Sequence, residues 1–339
     1  MSQISSYYAQ DYQTKNQVVL YGGNHMKRQV ITMQKSTNLS IDEAFSNFIK
    51  KSKIRNLSDK TLNTYRNHYK VFSEVVDNTT PIADVTSDTL DDFIVYLREQ
   101  RKVNDVTVNT YLRTLRAFLY YCMDCGYLKA FKIKMPKVEK KIKETYTNDE
   151  LERLLKKPDV DSCGFAEFKT WVFENYLLGT GNRVSTALNV RIRDVDFTGG
   201  TITLCKTKSR KQQIIPLSAT LSDILSEYLA YRGGEGEDYL FCNNYGEQAS
   251  VRTYQDLVKK YNRVRNVNKT SIHLFRHTFA KNWILAGGDV FRLQKILGHS
   301  DLTVTREYVN MFGQDLQMDF EKFNPLDKIS KSNKTIIRM

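Results

Sequence analysis

The stretch that decides the fold is "HLFRHTFAKNWILAGGDVFRLQKILGHSDLTVTREYV", residues 273–309. Its apolar residues recur at helical spacing, and breaks fall at Gly287–Gly288 and at Gly298, so it predicts a run of short helices. The chain has five histidines, and two of them stand within the first five residues of this stretch. On a helix His273 and Arg276 lie one turn apart and share a face.

Two kinds of ligand fit such a face. His273 and His277 are four residues apart, which permits a zinc-binding pair. However, no Asp or Glu lies nearby, and Arg276 between the histidines would repel a cation. A histidine and a guanidinium favour an anion, because arginine binds phosphate oxygens bidentately. We therefore predict an anion site without metal, in which His277 supports the helix or nearby backbone rather than the phosphate.

The composition indicates a nucleic-acid partner. The chain carries 51 Lys and Arg against 38 Asp and Glu, with a formal charge of +13 and a pI of about 9.3. A folded chain this basic typically binds a polyanion, although charge alone leaves open a basic enzyme of another kind. No apolar run has the length of a membrane span, and the polar N-terminus has no signal-peptide pattern, so we expect a cytoplasmic, nucleoid-associated protein without a membrane partner.

The five cysteines are irregularly spaced. Only "CMDC" at 122–125 resembles a motif, and it lies inside a helical pattern with no second pair or histidines at zinc-ligand spacing. We interpret these cysteines as helix lining in a reducing compartment, rather than as a zinc or redox site.

The chain is predicted to contain two domains. The segments, in order, are a weakly ordered leader at 1–37, in which Met26 is an alternative start, a helical domain at 38–131, a lysine-rich linker at 132–145, a second domain at 146–325 and a flexible tail at 326–339. The helical domain should hold four helices that form a compact bundle. Three of them are predicted to start at Ser40, where Glu43 completes a capping box, at Ser58 and at Thr86. The fourth is predicted to end near Gly126.

The second domain combines helices with a few strands. Thr147 and Glu150 form a second capping-box pattern, and a helical segment is interrupted at 179–181. Strands at 201–204 and 213–217 should form a hairpin with a basic tip, and "DYLFCN" at 238–243 reads as a short strand. The predicted fold class is mainly α with a small β-sheet.

Five motifs in this order resemble the tyrosine recombinase (phage integrase) family, and the Xer and integrase-like site-specific recombinases within it. They are "GTGNRVS" at 179–185, "TKSRKQQIIPL" at 207–217, "HLFRH" at 273–277, "LGHSD" at 297–301 and "TREYV" at 305–309. The resemblance covers roughly residues 38–323. It implies an all-α SAM-like core-binding domain followed by a mixed α+β catalytic domain.

The resemblance also implies roles for single residues. Arg183 and Arg276 would hold the scissile phosphate, with His273 and His299 in support. Tyr308, nine residues after His299, would be the nucleophile that forms a 3′-phosphotyrosyl link to DNA. Lys208 would be the hairpin lysine, selected by its distance from Pro216–Leu217, with Lys206 and Lys211 as alternatives.

One position departs from the family pattern. Thr186 stands where many members carry an acidic residue, which affects the expected hydrogen bonding around Arg183. The resemblance implies no metal, ATP or other cofactor.

The implied function is site-specific recombination for integration, excision or resolution of DNA. Its partners would be double-stranded recombination sites, further copies of the chain in a tetramer, and an accessory directionality factor. The segment after Tyr308 would dock on a neighbouring copy, although packing on its own domain is the alternative. The few residues before the first helix favour a simple Xer or transposon type, with a mobile-element integrase left open. A type IB topoisomerase and a non-catalytic DNA-binding relative are the competing functions.

Overall fold

The computed structural model describes residues 39–138, 144–205, 207, 212–299 and 301–312. These residues are mostly helical, with one three-stranded sheet, which confirms the predicted fold class. The chain divides into two compact units, residues 1–140 and 141–339. The predicted leader, the tail at 326–339 and Lys208 lie outside the described residues. Within the described part, no helix has both the length and the apolar character that crossing a bilayer requires.

The first unit contains the four predicted helices. They are α1 (Ile41–Ile54), α2 (Asp59–Phe72), α3 (Ser87–Glu99) and α4 (Asp105–Asp124), with a 3₁₀ turn at Ile82–Asp84. Ser40 and Glu43 exchange both hydrogen bonds of a capping box at the start of α1, and Ser58 caps α2. These caps satisfy amide groups that the first helical turn leaves without partners.

Aromatic rings dominate the core of the first unit. Phe45 stacks on Tyr69 and meets Phe118 edge-on, with ring centroids 5.3 Å apart. Cys122 is buried in this core, whereas Cys125, at the C-cap of α4, is exposed. The start of the predicted linker also packs here, because Ile133 is buried in the same core and the Asn109 side chain donates a hydrogen bond to the Pro136 carbonyl.

The second unit surrounds one long buried helix. Its helices are α5 (Asn148–Leu155), α6 (Phe165–Thr180), the single turn α7 (Val184–Ala187), α8 (Ala219–Arg232), α9 (Val251–Val264), α10 (His273–Leu285), α11 (Val290–Leu297) and α12 (Leu302–Phe312). α6 packs against α5, α8, α9 and α10, and apolar residues cover it on all sides. Because α6 is packed on several sides, the position of its C-terminal end next to α10 is fixed.

The sheet is small and antiparallel. Strand β1 (Val195–Asp196), which the sequence did not reveal, pairs with β2 (Thr201–Leu204), and β2 pairs with β3 (Gln213–Pro216). The predicted hairpin is therefore present. Ile202 and Ile215 are paired and both point into the core, because side chains alternate between the two faces of a strand.

Two predictions about the second unit were wrong in detail. Residues 238–243 do not form a strand: Tyr239 and Cys242 make only isolated bridges, with Arg191 and Gln248. The helical segment also continues through Gly179 to Thr180, so the break lies at residues 181–183 rather than at 179–181. The short apolar run at 239–242 resembles a buried strand in sequence, because a buried loop and a buried strand both lack alternation of apolar and polar residues.

A carboxyl group lies in the core of the second unit. The Glu174 side chain, on α6, is fully buried, and neither carboxyl oxygen has a hydrogen-bond partner among the described residues. Burial raises the pKa of Glu174 well above its ordinary value of 4.5, and the charge on Arg265 opposes the rise. Glu174 therefore stays protonated in the folded chain over a wider pH range than in the unfolded chain.

We expect Glu174→Met to stabilise the second unit. A raised carboxyl pKa in the folded state makes unfolding easier as the pH rises above 4.5, because the unfolded chain then releases the proton first. Replacement by methionine should raise the free energy of unfolding at pH 8 by about 1–3 kcal/mol, since an unpaired buried polar group is removed. Urea titration followed by tryptophan fluorescence measures this unit alone, because Trp171 and Trp283 both lie in it.

Glu174→Gln is the matched control for this experiment. It keeps the shape and polarity of the side chain but cannot ionise, so its stability should lose the fall above pH 4.5. A Glu174→Met chain that unfolds at the wild-type urea concentration at every pH would contradict the prediction.

Candidate active site

The end of α6 places Arg183. Gly181 takes up a left-handed conformation with φ of 61°, and a Cβ there would lie 2.6 Å from the Phe279 ring. Both the backbone and the close approach of α10 therefore require glycine at this position. The chain then turns, and Arg183 stands at the N-cap of α7. Thr186, where many family members carry an acidic residue, is buried on α7, and its amide donates to the Arg183 carbonyl at 2.9 Å.

The guanidinium of Arg276 is buried, with 6% of the residue exposed. Its two terminal nitrogens donate to the carbonyls of Gly181 and Leu297, each at 2.9 Å. Arg183 also reaches the Leu297 carbonyl, at 3.5 Å. These carbonyls belong to the C-terminal ends of α6 and α11, where unpaired carbonyls and the helix dipole attract cations. The two arginines consequently converge on one point of the second unit.

The arginine pair sets the electrostatics of the site. Burial and, to a smaller extent, the nearby charge of Arg183 lower the pKa of Arg276 to about 10. Burial also lowers the pKa of Arg183, and burial together with both arginines lowers the pKa of His273. At neutral pH the arginines keep their charges and His273 is neutral. The site therefore concentrates positive charge, and no ion pair joins either arginine to a carboxylate within the part of the chain that the structure describes, as suits anion binding.

His299 follows the left-handed Gly298 that ends α11. Its Nε2 lies 2.7 Å from an Arg276 nitrogen, and its Nδ1 lies 2.8 Å from the hydroxyl of the buried Thr305. A guanidinium can only donate, so Nε2 must be the acceptor. The ring of neutral His299 therefore carries its proton on Nδ1 and donates it to Thr305. Thr305 begins the "TREYV" motif, yet its role could not be assigned from the sequence.

Tyr308, on α12, is 2% exposed and packs between two histidine rings. The His299 ring is parallel to it with centroids 6.3 Å apart, and the His277 ring is tilted by 46° at 5.7 Å. The hydroxyl of Tyr308 lies 2.7 Å from Nδ1 of His277. Burial raises the pKa of Tyr308, whereas Arg276 and Arg183 oppose the rise.

The contact of His277 with Tyr308 departs from the sequence interpretation, which assigned His277 to the support of the helix. Residues 276 and 277 point in directions about 100° apart on α10, so they cannot share one face. However, α12 packs across α10 and brings Tyr308 within reach of both side chains. Nothing in the sequence of α10 reveals this, because the contact depends on how a later helix crosses it.

The structure brings four of the six predicted site residues together: Arg183, Arg276, His299 and Tyr308. Arg183 and Arg276 share the Leu297 carbonyl, Arg276 contacts His299, and the His299 ring lies parallel to that of Tyr308. His273 lies one turn before Arg276 on α10, close enough for the arginine charges to lower its pKa. Lys208 lies outside the described residues. Among the residues that the structure describes, no group of three or more His, Cys, Asp or Glu side chains could hold a metal ion.

The base of the hairpin is attached to this site. The side-chain amide of Gln213, at the start of β3, donates to the carbonyl of Ile296 at 2.9 Å. A Cβ on Gly298 would lie 2.7 Å from the Gln213 side-chain oxygen, so the hairpin base and the end of α11 are in close contact. The sequence gave no role to Gln213. Through these contacts Gln213 holds the start of β3 beside the end of α11, next to His299.

Comparison with known proteins assigns both units to one family. The Phage integrase family matches residues 144–314, and the Phage integrase SAM-like domain matches residues 40–142. A tyrosine recombinase of Pseudothermotoga lettingae is 27% identical over 288 residues, which cover 81% of this chain and 94% of that protein. Tyrosine recombinase XerC of Staphylococcus aureus is 28% identical over 311 residues, covering 87% of this chain and 99% of the relative.

Solved structures share the fold. A lambda integrase fragment, solved as a dimer bound to a COC′ core site, has a TM-score of 0.66 at 16% identity and covers 81% of this chain and 97% of its own. The Tn1549 transposon integrase in complex with a circular intermediate DNA has a TM-score of 0.65 at 21% identity, covering 78% of this chain and 94% of its own.

We expect Arg276→Lys to destabilise the second unit. Lysine keeps the charge but cannot donate to the Gly181 and Leu297 carbonyls in the planar geometry of a guanidinium. Loss of one such hydrogen bond should lower the free energy of unfolding by about 1.5–3 kcal/mol in urea titrations followed by tryptophan fluorescence. Arg183→Lys is the matched control, with a change below about 1 kcal/mol, because its carbonyl contact is long. Equal stability losses in the two variants would contradict this assignment.

Proposed function

The chain belongs to the phage integrase family of tyrosine recombinases, enzymes that cut and rejoin DNA strands without metal or ATP, and we propose that it recombines specific DNA sites through a covalent 3′-phosphotyrosyl link to Tyr308. The observation that carries the proposal is the position of the Tyr308 hydroxyl. The Tyr308 ring lies parallel to that of His299, which contacts Arg276, and Arg276 and Arg183 converge on the same carbonyl. A nucleophile and two phosphate-binding groups therefore lie close together.

The proposed reaction begins when the scissile phosphate enters between the arginines. The guanidinium donors of Arg183 and Arg276 bind its non-bridging oxygens and stabilise the negative charge of the transition state. A phenol is a weak nucleophile, with an ordinary pKa of about 10, until it loses its proton. The charges of Arg276 and Arg183 favour the phenolate of Tyr308, because both lower its pKa against the effect of burial.

The supporting histidines complete the phosphate site. His273 is neutral near the arginines, so one ring nitrogen can donate a hydrogen bond to a phosphate oxygen. His299 accepts from Arg276 in the DNA-free chain. When phosphate replaces that contact, a change of tautomer or protonation lets Nε2 donate to the phosphate, while Thr305 continues to hold Nδ1.

Cleavage produces a covalent protein–DNA link and a free 5′-hydroxyl. The bond between Tyr308 and the 3′-phosphate keeps the energy of the broken phosphodiester, so a second 5′-hydroxyl can attack it and close a new strand without ATP. Lys208, on the hairpin tip, is proposed to protonate the leaving 5′-oxygen. Gln213 supports this assignment, since it holds the hairpin base next to His299.

The proposed partner is duplex DNA that carries recombination sites. Two basic units joined through a lysine-rich segment would bind mainly through phosphate contacts, and binding should therefore weaken steeply with salt. Structural neighbours point the same way, because lambda integrase is described as a dimer bound to a core site and XerH as bound to difH substrate. For this chain we propose a tetramer on two sites, in which the segment after α12 docks on a neighbouring copy. A directionality factor is a further proposed partner, and the proposed location is the cytoplasm, at the nucleoid.

The nucleophile is tested with Tyr308→Phe. Wild-type protein incubated with a nicked suicide duplex of its own site should form a DNA adduct that survives denaturing gels, whereas Tyr308→Phe should form none and bind the duplex normally. Tyr245→Phe is the matched control and should react like wild type, because Tyr245 is 88% exposed. Absence of an adduct from wild type would contradict the enzymatic proposal and favour a DNA-binding relative. Supercoil relaxation without strand exchange would indicate a topoisomerase.

The proposed general acid is tested with Lys208→Ala. Loss of the general acid should slow cleavage of ordinary DNA by about 10²–10⁴-fold. A substrate with a 5′-bridging sulfur should restore the rate, because a thiolate leaves without protonation, its conjugate acid having a pKa of about 8.5. Lys206→Ala and Lys211→Ala are the controls and should change neither rate strongly. Sulfur rescue confined to one of these two controls would move the general acid to that lysine.

A further inference from the structure

The reaction leaves one proton unassigned. Tyr308 must release its phenolic proton when it attacks phosphorus, and the two arginines, already protonated, cannot take it. His299 is assigned elsewhere, because its Nδ1 contacts Thr305 and its Nε2 accepts from Arg276 in the DNA-free chain and faces the phosphate in the proposed complex. His273 is likewise proposed to donate to a phosphate oxygen. A further nitrogen, Nδ1 of His277, lies within hydrogen-bond distance of the Tyr308 hydroxyl.

The contact at the hydroxyl offers its proton an acceptor. The Tyr308 oxygen lies 2.7 Å from Nδ1 of His277, within hydrogen-bond distance. A neutral imidazole accepts at its unprotonated nitrogen, so when His277 carries its proton on Nε2 the phenolic proton points to Nδ1. The nearby charges of Arg276 and Arg183 favour release of that proton, because both lower the pKa of Tyr308 against the effect of burial.

From this geometry, and given the proposed function, we propose that His277 is a catalytic residue that accepts the Tyr308 proton during cleavage and returns it during religation. His277 is adjacent to the phosphate-binding Arg276 on α10, and it contacts the reacting oxygen itself. It is not among the residues to which the family motifs assign a role. Its place beside the nucleophile comes from the packing of α12 on α10.

The proton and electron balance closes over the two half-reactions. In cleavage, the Tyr308 proton moves to Nδ1 of His277, the phenolate oxygen forms a bond to phosphorus, and the bond from phosphorus to the 5′-oxygen breaks. The leaving oxygen takes a proton from Lys208. In religation the 5′-hydroxyl gives its proton back to Lys208 and attacks phosphorus, and the departing Tyr308 oxygen takes its proton back from His277. No oxidant, metal or further co-reactant is needed.

The surroundings make His277 a suitable acceptor only with DNA present. Among the described residues, the charged and titratable groups near the pair include Arg276 on α10, Arg183 before α7, His273, His299 and Glu307 on α12. Two fixed positive charges oppose a positive imidazolium in the DNA-free site. A bound phosphodiester supplies a negative charge between the arginines, so the transfer is favoured when the substrate is in place.

The test uses His277→Asn and His277→Ala in the full chain. The Asn side chain can place a hydrogen-bonding atom near the position of Nδ1 but cannot take up a proton. Both variants should bind the recombination site like wild type and cleave a suicide duplex about 10²–10³-fold more slowly, within the usual contribution of general base catalysis. Wild-type cleavage should rise with pH as the acceptor loses its proton, and His277→Asn should lose that rise. Added imidazole should restore His277→Ala.

The outcomes separate the two proposals. Without a wild-type adduct, the proposed function itself fails. If wild type forms the adduct and His277→Asn cleaves within about threefold of wild type, the role of His277 is overturned while the proposed function stands. The same holds if His277→Asn keeps the wild-type pH profile. The 5′-bridging sulfur substrate adds a control, since it should rescue Lys208→Ala but neither His277 variant.

A measurement on the wild-type chain covers the case in which the variants do not fold. The proposal requires that Nδ1 of His277 is unprotonated in the DNA-free protein, because it accepts from Tyr308. Nitrogen NMR of ¹⁵N-labelled histidine distinguishes the two ring tautomers. A proton on Nδ1 of His277 would overturn the proposal, and an unprotonated Nδ1 supports it.

Discussion

The buried guanidinium of Arg276 is the interaction on which the second unit depends. It joins the carbonyl of Gly181, just after α6, to the carbonyl of Leu297, at the end of α11, and it does so from the first turn of a third helix, α10. Helix ends carry unpaired carbonyls and the negative end of the helix dipole, so a planar cation between two of them satisfies both. The same guanidinium also donates to Nε2 of His299. One side chain thus fixes the packing and the site together.

Placing two arginine charges close together in a partly buried site costs free energy, and a bound anion would offset that cost. Two arginines lie close together, and the pKa of Arg276 is lowered to about 10. The described hydrogen bonds of Arg183 and Arg276 to the protein backbone go to neutral carbonyls, which do not offset the positive charge. In the proposed reaction a phosphodiester supplies the negative charge. Glycine at 181 and 298 permits the close approach of backbone that places those carbonyls.

Local patterns predicted much of the fold and only part of the site. The capping boxes at Ser40 and Thr147, the hairpin strands and the breaks at Gly287 and Gly298 are visible because each depends on residues close in sequence. Strand β1 was missed because two residues give no periodicity, and residues 238–243 imitated a strand because buried loops are also apolar. Gln213, Thr305 and His277 could not be assigned, since their contacts join elements far apart in the chain.

The two histidines beside Tyr308 show why such contacts decide function. Both rings lie against the phenol, yet their contacts suit them to different roles. His299 must hold its proton on Nδ1, because Arg276 occupies Nε2 as a donor. His277 faces the phenolic hydroxyl with Nδ1, at 2.7 Å, and in the proposed reaction this nitrogen accepts the phenolic proton. Arg276 occupies Nε2 of His299, and its charge lowers the pKa of Tyr308 against the effect of burial. The same guanidinium that holds the helix ends together therefore also keeps His299 from accepting at Nε2 and favours release of the phenolic proton.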